Sequence, residues 1–591
     1  MFSKILVANR GEIAVRIMRT AREMGILCVA VYSEIDRDAR HVALADEAYL
    51  LGPAQPSQSY LNSERILDLA ERCGAQAIHP GYGFLAESAA FCRAVTARGL
   101  IWIGPHAEAI DAMGDKLRAR QAMERAGVPF VPGGTEPIAD LAAARRAAQA
   151  YGFPLALKAS GGGGGKGLKI AHSLDDLESA YSTAQREAIA YFQNGTIYAE
   201  RYLENPKHIE LQVLADKHGS VLHVGERDCS LQRRHQKLWE EAPALIPERV
   251  RTGIREAGIR AARAIGYDSA GTIEYLVADD KFYFLEMNTR IQVEHTVSEM
   301  ISGLDLIREQ IRVAAGEPLG FSQETISFSG AAIEARINAE DPTQAFRPAP
   351  GRIKAYREPG GPGVRIDSAA SPGYEVVPDY DSMIAKLIVW APTRQQALAR
   401  MRRALDEYVI TGIPTTLGVL RALCESADVQ DARYTTATLE PFAAQWAAQA
   451  PTGDHGTLDS LPTPHAGAAP DTLRIEVNDR LYRVRFVDEP SGAERREPAT
   501  ARRPRRTLQE RAGSKPGTSP RNEVVAPMHG VVVDLPVSVG ERVCEGGVLA
   551  VVEAMKMMNE IRAHTSGVVS AIHVSLGSTV EANAPLVTIA E

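Results

Sequence analysis

Polar and apolar side chains alternate along residues 284–295, and the polar ones combine acidic, basic and amide groups. The five polar residues are Glu286, Asn288, Arg290, Gln292 and Glu294. If this stretch is extended, all five face one way, because side chains two positions apart in a strand share a face. Mixed charges at such close quarters are poor filler for a sheet surface. The pattern therefore predicts a reaction site on this face.

A second strand just upstream would complete this site. Residues 272–276 alternate in the same way and are joined to the polar row through a polar turn at 279–281. In such a hairpin Glu274 faces Glu286 across the two strands. With the amide oxygen of Asn288 they offer the hard oxygen ligands that magnesium prefers beside nucleotide phosphates. The competing interpretation, two unpaired carboxylates on an exposed sheet, is weaker because it leaves the third oxygen unused.

Residues 161–167 form a glycine-rich loop between two short runs that predict strands, 155–160 and 168–171. The residues at its two ends do not fit a Walker A loop. A hairpin tip with almost no side chains can instead close over phosphates and offer them backbone N–H groups. A flexible linker is the alternative interpretation.

The elements that must position these groups begin at the N-terminus. Residues 5–8 predict a strand, 12–24 a helix with apolar positions at helical spacing, and 27–32 a second strand. This is a doubly wound start. Only one glycine follows the first strand, where a dinucleotide-binding fingerprint needs three, so nicotinamide chemistry is not expected.

Two further stretches lie between the glycine loop and the polar row. The alternation between residues 197 and 214 places His208, Glu210 and Gln212 on one face of a strand. The charged run at 226–237 is interpreted as a solvated basic loop.

The last 68 residues contain an internal repeat in which Gly530 and Gly540 recur as Gly567 and Gly577. The offset is constant, since 567 minus 530 and 577 minus 540 both give 37. Short Val-rich strands with glycine at the turns predict two similar β-layers packed on each other. Lys556 lies between the two halves, where a turn would project it from the core. Its methionine neighbours favour a contact surface over an ordinary solvated lysine.

Composition and charge exclude several classes. A net charge of −8 gives no support for a nucleic-acid partner or an anionic membrane. The six cysteines have no Cys-x-x-Cys spacing, which predicts reduced thiols rather than disulfides or a zinc site. The sequence shows no signal-peptide pattern and no apolar run near the ~18 residues that a membrane span needs. We therefore expect a cytoplasmic, soluble protein without nucleic-acid or membrane partners.

An ordered set of motifs in residues 1 to about 446 resembles the biotin carboxylase branch of the ATP-grasp family. The motifs are the glycine loop and the strings at 114–116, 233–237, 286–295, 333–341 and 380–386. The string Ala-Met-Lys-Met at 554–557 resembles the biotinylation motif of biotin carboxyl carrier domains. A lipoyl domain would normally show an Asp-Lys-Ala type of string instead. The resemblance implies covalent biotin on Lys556, with ATP and Mg²⁺ (or Mn²⁺) as further cofactors.

The resemblance also implies a role for each matching residue. ATP would contact Lys116, Lys158, Gly163, Gly164, Gly165, Lys166, His208, Gln232 and His235, with Glu200, Arg201 and Leu203 around the adenine. Magnesium would be held by Glu274, Glu286 and Asn288. Bicarbonate would be placed by Lys237, Arg290, Gln292 and Val293. Glu294 would be the general base, and Arg336 would steady the enolate of the biotin ureido group.

The implied architecture is α/β, followed by a linker and an all-β domain. A Rossmann-like pre-ATP-grasp domain would span 1–115, an ATP-grasp domain 116–330 with a lid at about 135–203, and an α+β C-terminal domain 331–446. A linker with a short β-hairpin at 473–486 would occupy 447–522. A flattened barrel of the biotinyl-lipoyl type would span 523–591.

These resemblances predict the α subunit of an acyl-CoA carboxylase, with acetyl-CoA or propionyl-CoA as the acceptor. We expect no carboxyltransferase to be encoded after Glu591, so a partner chain, the carboxyltransferase (β) subunit, must supply it. The other expected partners are a biotin protein ligase and further copies of the carboxylase domain. The linker departs from longer α subunits, which carry a larger docking domain at this point. Two alternatives stay open: the same module in a two-subunit pyruvate carboxylase, and a biotin carrier and scaffold whose ATP-grasp site is inactive.

Overall fold

A computed structural model describes the chain in nine stretches. They are residues 1–160, 167–192, 194–450, 472–477, 480–485, 523–528, 530–554, 557–581 and 583–590. The chain divides into two compact units, one of residues 1–376 and 382–458, the other of residues 377–381 and 459–591. No helix within the described stretches is both long enough and apolar enough to cross a membrane.

The N-terminal part of the first unit is a parallel sheet with helical crossovers. Its strands are β1 (Lys4–Val7), β2 (Leu27–Ser33), β3 (Glu47–Gly52), β4 (Ala77–His79) and β5 (Ile101–Trp102), and its helices are α1 (Gly11–Glu23), α2 (Arg40–Leu44), α3 (Ser63–Cys73), α4 (Ala89–Ala97) and α5 (Ala107–Gly114). These strands run parallel in the order β3-β2-β1-β4-β5. The predicted doubly wound start is confirmed.

A small α/β layer follows and contains the glycine loop. Its elements are α6 (Lys116–Arg125), α7 (Leu141–Tyr151), β6 (Leu155–Ala159), β7 (Leu168–Ala171), α8 (Leu174–Phe192) and β8 (Ile197–Arg201). The antiparallel order is β7-β6-β8, and Leu155 and Leu157 pack into a shared core with α7 and α8. The predicted hairpin is confirmed by the pairing of Lys158 with Leu168. Its tip, residues 161–166, lies outside the described residues.

The remainder of the first unit is built on a large antiparallel sheet. Its elements begin with β9 (Lys207–Ala215), β10 (Val221–Arg233), β11 (Gln236–Ala242), α9 (Glu248–Ala264), β12 (Ala270–Ala278), β13 (Lys281–Asn288), α10 (His295–Ser302), α11 (Leu306–Ala314) and β14 (Ala331–Asn338). They continue with β15 (Glu340–Asp341), β16 (Arg347–Pro348), β17 (Gly351–Arg352), β18 (Ala355–Arg357), β19 (Val364–Ser368), β20 (Glu375–Val376), β21 (Met383–Ala391), α12 (Arg394–Glu407), β22 (Val409–Thr411), α13 (Leu417–Glu425), α14 (Ala427–Gln430) and α15 (Leu439–Gln449). Eight strands form the sheet in the order β13-β12-β9-β10-β11-β14-β21-β19.

Two tight turns shape the part of this sheet that carries the predicted site. Asp279 and Asp280 link β12 to β13 with φ of 49° and 58°, a left-handed conformation that suits a two-residue hairpin. Arg234 and His235 link β10 to β11 in the same way, with φ of 46° and 66°. The interpretation of residues 226–237 as a solvated loop is therefore wrong: most of the run is buried strand, because neighbouring strands supply partners for its charges.

The predicted extended row is also wrong beyond Asn288. Asn288 pairs with Thr272, and β12 begins only two residues earlier at Ala270, so the strand loses its ladder partner there. Residues 289–294 form a bend and a turn, and α10 starts at His295. The last three polar side chains of the row therefore come from a loop.

The segment that precedes the C-terminal β-domain contains a hairpin of two strands, β23 (Thr472–Val477) and β24 (Arg480–Arg485). They pair from Thr472 with Arg485 to Val477 with Arg480.

The C-terminal domain is a β-sandwich with internal symmetry. Its strands are β25 (Glu523–Val525), β26 (Gly530–Asp534), β27 (Arg542–Val543), β28 (Val548–Ala554), β29 (Met557–Arg562), β30 (Gly567–Ile572), β31 (Thr579–Val580) and β32 (Pro585–Ala590). They form two four-stranded sheets, β25-β32-β30-β27 and β29-β28-β26-β31. The starts of β26 and β30, 530 and 567, and of β28 and β32, 548 and 585, both differ by 37. The predicted two-layer repeat is confirmed.

Candidate active site

The predicted magnesium ligands lie on the hairpin of β12 and β13. Glu274 is directly opposite Glu286, as predicted. The Asn288 amide nitrogen donates to Glu274 Oε1 at 2.8 Å, and His208 Nε2 lies 2.9 Å from Glu274 Oε2. Burial alone would raise the pKa of Glu274, but Lys237 and His208 hold it well below its usual value. Two carboxylates and an amide are the oxygen donor set that magnesium takes, so these residues fit the ion.

The tightest acidic cluster is a different one. Among the described residues, His208, Glu210 and Glu274 bring one ligand atom each within 4.8 Å of one another, and so do Glu210, Cys229 and Glu294, whereas Glu286 belongs to neither group. Glu286 instead has Lys116 3.5 Å away. The structure thus separates a hairpin edge with Glu286 from a deeper acidic cluster.

Lys237 sits at the centre of that deeper cluster. Its ammonium contacts the Glu210 carboxylate, and it lies 2.7 Å from Glu294 Oε1 and 3.3 Å from Glu274 Oε1. Burial would lower the pKa of Lys237, but these three carboxylates raise it well above its ordinary value. Lys237 is therefore a cation that contacts three carboxylates, two from the sheet strands β9 and β12 and one from the loop before α10.

Glu294 is held between two cations. Lys237 approaches one carboxylate oxygen, and Arg336 Nη2 donates to the other at 2.9 Å. Burial favours the neutral acid, yet Lys237, Arg336 and Arg227 outweigh it and keep the pKa of Glu294 well below its usual range. A carboxylate in this setting stays ionised and can accept a proton when a substrate displaces one of its partners.

Arg227 is a site residue that the sequence interpretation missed. It is fully buried and donates to Glu210 Oε2 at 2.9 Å, to Gln212 Oε1 at 2.6 Å and to Gln292 Oε1 at 2.7 Å. The Gln292 amide nitrogen then donates to Glu274 Oε1 at 2.9 Å. Arg227 thus fixes the orientation of Gln292, one of the predicted bicarbonate ligands.

The loop that follows β13 is fixed from two other domains. Arg290 Nε lies 3.0 Å from Glu87 of the N-terminal domain, and its Nη2 donates to Asn288 Oδ1 at 3.1 Å. The Val293 carbonyl accepts from the buried Lys386 of β21 at 2.9 Å. The sequence interpretation assigned no role to Glu87, and it included Lys386 only as part of the motif at 380–386.

Two of the predicted nucleotide-binding residues, Lys158 and Glu200, lie on the three-stranded sheet β7-β6-β8. Lys158 contacts the Glu200 carboxylate, whose other oxygen accepts from Arg120 Nη1 at 2.6 Å. Both Glu200 oxygens are thereby engaged, so Glu200 orients Lys158 in this structure. The Lys116 backbone N–H donates to the Ser160 carbonyl at 3.0 Å, which joins α6 to the base of the glycine loop.

The other predicted ATP contacts lie along β8, β9 and β10 and just after β8 and β10. Gln232 Nε2 and His208 Nδ1 are 3.1 Å apart. Loss of hydration, with Lys158 and His208 nearby, lowers the pKa of His235 below its usual value. Arg201 ends β8 with an exposed side chain, and Leu203 follows it half-buried. Gly163, Gly164, Gly165 and Lys166 lie outside the described residues.

Lys556 also lies outside the described residues, but the strands on either side of it are described. Ala554 at the end of β28 pairs with Met557 at the start of β29. The connection that contains the lysine is therefore two residues long.

Comparison with known proteins assigns these features to a class. Residues 1–110 match a family model described as the biotin carboxylase N-terminal domain, and residues 334–441 match one for its C-terminal domain. Residues 115–322 match the ATP-binding domain of the carbamoyl-phosphate synthase L chain, and residues 522–589 match a model described as biotin-requiring enzyme. The fold and site are thus those of a biotin-dependent enzyme with an ATP-grasp domain.

Three similar proteins narrow this class. A pyruvate carboxylase subunit of Methanothermobacter thermautotrophicus is 53% identical over 72% of this chain and 86% of its own length. The biotin-dependent acyl-coenzyme A carboxylase alpha3 subunit of Mycobacterium leprae is 42% identical over 98% of this chain and 97% of its own. The biotin carboxylase domain dimer of Hydrogenobacter thermophilus 2-oxoglutarate carboxylase, solved with MgADP, ADP and bicarbonate, is 52% identical, with a TM-score of 0.73 over 75% of this chain and 99% of that one.

The chain belongs to the biotin carboxylase family, fused to a biotin carboxyl carrier domain. Its fold is the predicted α/β ATP-grasp carboxylase followed by an all-β biotinyl domain. It carboxylates biotin at the expense of ATP, and its cofactors are biotin, ATP and magnesium.

Proposed function

We propose that this chain is the biotin-carboxylating and biotin-carrying α subunit of an acyl-CoA carboxylase, with biotin on Lys556 and acetyl-CoA or propionyl-CoA as the acceptor. The observation that carries the proposal is the alignment with the mycobacterial acyl-CoA carboxylase alpha3 subunit over 98% of this chain. That alignment extends through the linker and carrier domain, whereas the pyruvate carboxylase subunit matches only 72% of the chain.

The arrangement around Glu294 supports the first chemical step. Bicarbonate bound beside Lys237, Arg290 and Gln292 lies against two cations and an amide donor, and the Val293 backbone completes its site. Glu294 takes the bicarbonate proton, and the resulting oxyanion attacks the γ-phosphate of ATP to give carboxyphosphate and ADP. Displacement of Lys237 from Glu294 by the anion makes the carboxylate a stronger base when it is needed.

The residues around the nucleotide bind and orient ATP. Lys116, Lys158 and the N–H groups of Gly163, Gly164 and Gly165, with Lys166, neutralise the phosphates. His208, Gln232 and His235 line the same pocket, and Glu200, Arg201 and Leu203 border the adenine. Magnesium bound by Glu274, Glu286 and Asn288 would offset phosphate charge at the transferring group.

Arg336 serves the second step. Its guanidinium is a planar donor next to Glu294, suited to an enolate oxygen such as the one that a biotin ureido group develops when its nitrogen is deprotonated. Biotin on Lys556 supplies the nitrogen that accepts the carboxyl group. A carboxyltransferase subunit then receives the loaded carrier, and a biotin protein ligase attaches the biotin beforehand.

A second candidate is the corresponding subunit of a two-subunit pyruvate carboxylase. It is favoured by the 53% identity of the carboxylase part to such a protein. The two candidates share every residue of the site and differ only in the acceptor.

The acceptor decides between them. The full chain is isolated with its co-purifying transferase, charged with labelled bicarbonate and MgATP, and offered acetyl-CoA, propionyl-CoA or pyruvate. We expect label in malonyl-CoA or methylmalonyl-CoA, and none when the chain carries Glu294→Ala. Label only in oxaloacetate would overturn the acyl-CoA assignment in favour of the second candidate.

A further inference from the structure

Two buried carboxylates that the reaction scheme does not use lie behind Arg336. Glu240 on β11 and Glu334 on β14 are direct cross-strand partners, and neither side chain is exposed. Directly opposed residues of an antiparallel pair have Cβ atoms only about 4.5–5.5 Å apart on the same face. Two like charges at that distance, away from water, are not both retained without compensation.

Glu240 accepts a hydrogen bond from the guanidinium group of Arg336. Arg336 Nε donates to Glu240 Oε1 at 2.6 Å, while Arg336 Nη2 reaches Glu294 Oε2 at 2.9 Å. Among the described residues, no side chain or carbonyl accepts a hydrogen bond from Arg336 Nη1, so that nitrogen is the one left for a ligand. The hold of Glu240 on Nε therefore sets the direction in which Nη1 points.

Each of the two carboxylates keeps one oxygen without a partner. Glu240 Oε2 and Glu334 Oε1 are buried and accept no hydrogen bond from any described residue. The other oxygen of Glu334 accepts from the Thr296 hydroxyl. A buried ionised carboxylate rarely leaves an oxygen unpaired, whereas a proton on one of two neighbouring carboxyls satisfies both.

The charged groups around the pair do not neutralise it fully. Arg336 on β14 and Lys386 on β21 are the nearby cations, and Glu294 next to α10 and Cys229 on β10 are the nearby acids. Arg336 is shared with Glu294, and Lys386 is shared with Glu12 and Asp367. Burial raises the pKa of Glu240 to about 8 and that of Glu334 to about 7, against the opposing effects of Arg336 and Lys386.

We propose that Glu240 is a positioning residue for Arg336, and that Glu240 and Glu334 share one proton in the working enzyme. The inference rests on the role proposed above for Arg336. With one proton on the pair, Arg336 interacts with one negative charge shared by Glu240 and Glu334, and with the carboxylate of Glu294. When that proton is lost, a third carboxylate competes for the guanidinium and draws Nη1 away from the substrate side.

The first test compares neighbouring residues of β11 in the full chain, with free biotin as substrate. Glu240→Gln removes the charge behind Arg336. Glu241→Gln is the matched control, because Glu241 is equally buried and paired with an arginine, Arg394 at 2.6 Å, but not with Arg336. We expect kcat/KM for biotin to fall about tenfold in Glu240→Gln, with KM for ATP unchanged in both variants. Equal values for the two variants would overturn the positioning role.

The second test is the pH profile of kcat/KM for biotin. In the wild type it should fall as pH rises through about 8, where the pair loses its proton. Glu334→Gln leaves a single carboxylate beside Arg336, so this alkaline fall should disappear while the value at neutral pH changes less than about threefold. A wild-type profile without the fall, or an unchanged fall in Glu334→Gln, would overturn the shared proton.

Arg336→Ala separates this inference from the proposal on which it rests. Full biotin-dependent turnover in Arg336→Ala would mean that the role of Arg336 itself is wrong. Loss of turnover in Arg336→Ala, combined with identical behaviour of Glu240→Gln and Glu241→Gln, would overturn only the inference.

Discussion

The carboxylase unit and the carrier domain both bury apolar side chains, but they differ in the charges that their described interiors contain. In the carboxylase unit, charged side chains such as Arg227, Lys237 and Glu294 are buried or nearly buried beside the large sheet and are paired with opposite charges. In the carrier domain, every described residue that is fully buried is apolar or glycine, and the strands repeat at a constant interval. The carboxylase unit thus contains an irregular set of paired charges, whereas the carrier domain has a repetitive apolar core.

This difference follows from what each region has to do. Activation of bicarbonate needs fixed charges whose pKa values are shifted. A low-dielectric interior favours the neutral form of a group, and a buried group stays ionised only when opposite charges or hydrogen bonds compensate it. Presentation of a lysine needs only a stable hairpin end, which two interlocked β-layers supply through burial of apolar area. Changes in the first region should therefore alter chemistry, and changes in the second should alter only stability or loading.

The largest expected effect separates the two regions completely. Lys556→Arg should abolish biotinylation, since arginine cannot form the amide bond, while carboxylation of free biotin continues at the wild-type rate. Streptavidin blotting and an ADP-release assay with free biotin measure the two outcomes. Biotin found on the variant would mean that another lysine is the attachment site.

The second largest effect is expected from substitution of Glu294, the proposed general base. Glu294→Ala should lower bicarbonate-dependent ATP cleavage by about 10³-fold, the usual contribution of a general base, while nucleotide affinity is retained. Isothermal titration with ADP checks binding, and the same assay checks turnover. Turnover near the wild-type value would remove the base assignment.

The pH dependence of stability should distinguish the two regions as well. Glu274 and Glu294 have folded-state pKa values below the unfolded value of about 4.3, so their stabilisation is present above that pH and is lost as pH falls through the folded values. Glu12 and Glu334, whose pKa values burial raises to about 7, act in the opposite direction and cost stability as pH rises towards 7.

Calorimetry of the full chain between pH 3 and pH 9 measures this contrast. The carboxylase transition should pass through a maximum and shift by several degrees, because one pKa unit corresponds to about 1.4 kcal/mol. The carrier transition should shift less, since its described core has no buried charge. Parallel shifts of both transitions would contradict the contrast.

The smallest effect tests the symmetry of the carrier. A Cβ at Gly530 would lie 2.5 Å from the Glu553 carbonyl oxygen, and a Cβ at the equivalent Gly567 would meet the Ala590 carbonyl just as closely. Gly530→Ala and Gly567→Ala should each destabilise the domain by about 1–3 kcal/mol, and to a similar extent. The exposed Ser570→Ala, as the control, should stay within about 0.5 kcal/mol. A large difference between the destabilisation caused by Gly530→Ala and that caused by Gly567→Ala, measured by thermal unfolding, would mean that the two halves do not contribute equally to stability.

The carrier was the easier region to predict because its sequence repeats. Glycine spacing and valine alternation were enough to predict the two β-layers. Only the order of the strands had to come from the structure. In the carboxylase, the hairpin of β12 and β13 was predictable from alternation and from its Asp-Asp turn, which fixed Glu274 opposite Glu286.

The remaining site residues were not predictable from alternation. Arg290, Gln292 and Glu294 reach the site from a loop, because β13 loses its partner strand after Asn288. Arg227 lies in a run that was interpreted as a solvated loop, since nothing local shows that a strand elsewhere in the sequence supplies its carboxylate partner. Long-range pairing decides where such charges lie, and a single sequence does not contain that information in any local pattern.

The central claim is that the carboxylase unit loads biotin held on Lys556 of the same polypeptide. The most direct test is to incubate fully biotinylated protein with MgATP and labelled bicarbonate, without any acceptor, and to locate the label by peptide mass analysis under alkaline conditions. The account predicts one labelled carboxyl group on the biotinyl peptide containing residue 556, dependent on ATP and absent in Glu294→Ala. ATP-independent label, or biotinylated protein that stays unlabelled while free biotin is carboxylated, would contradict it.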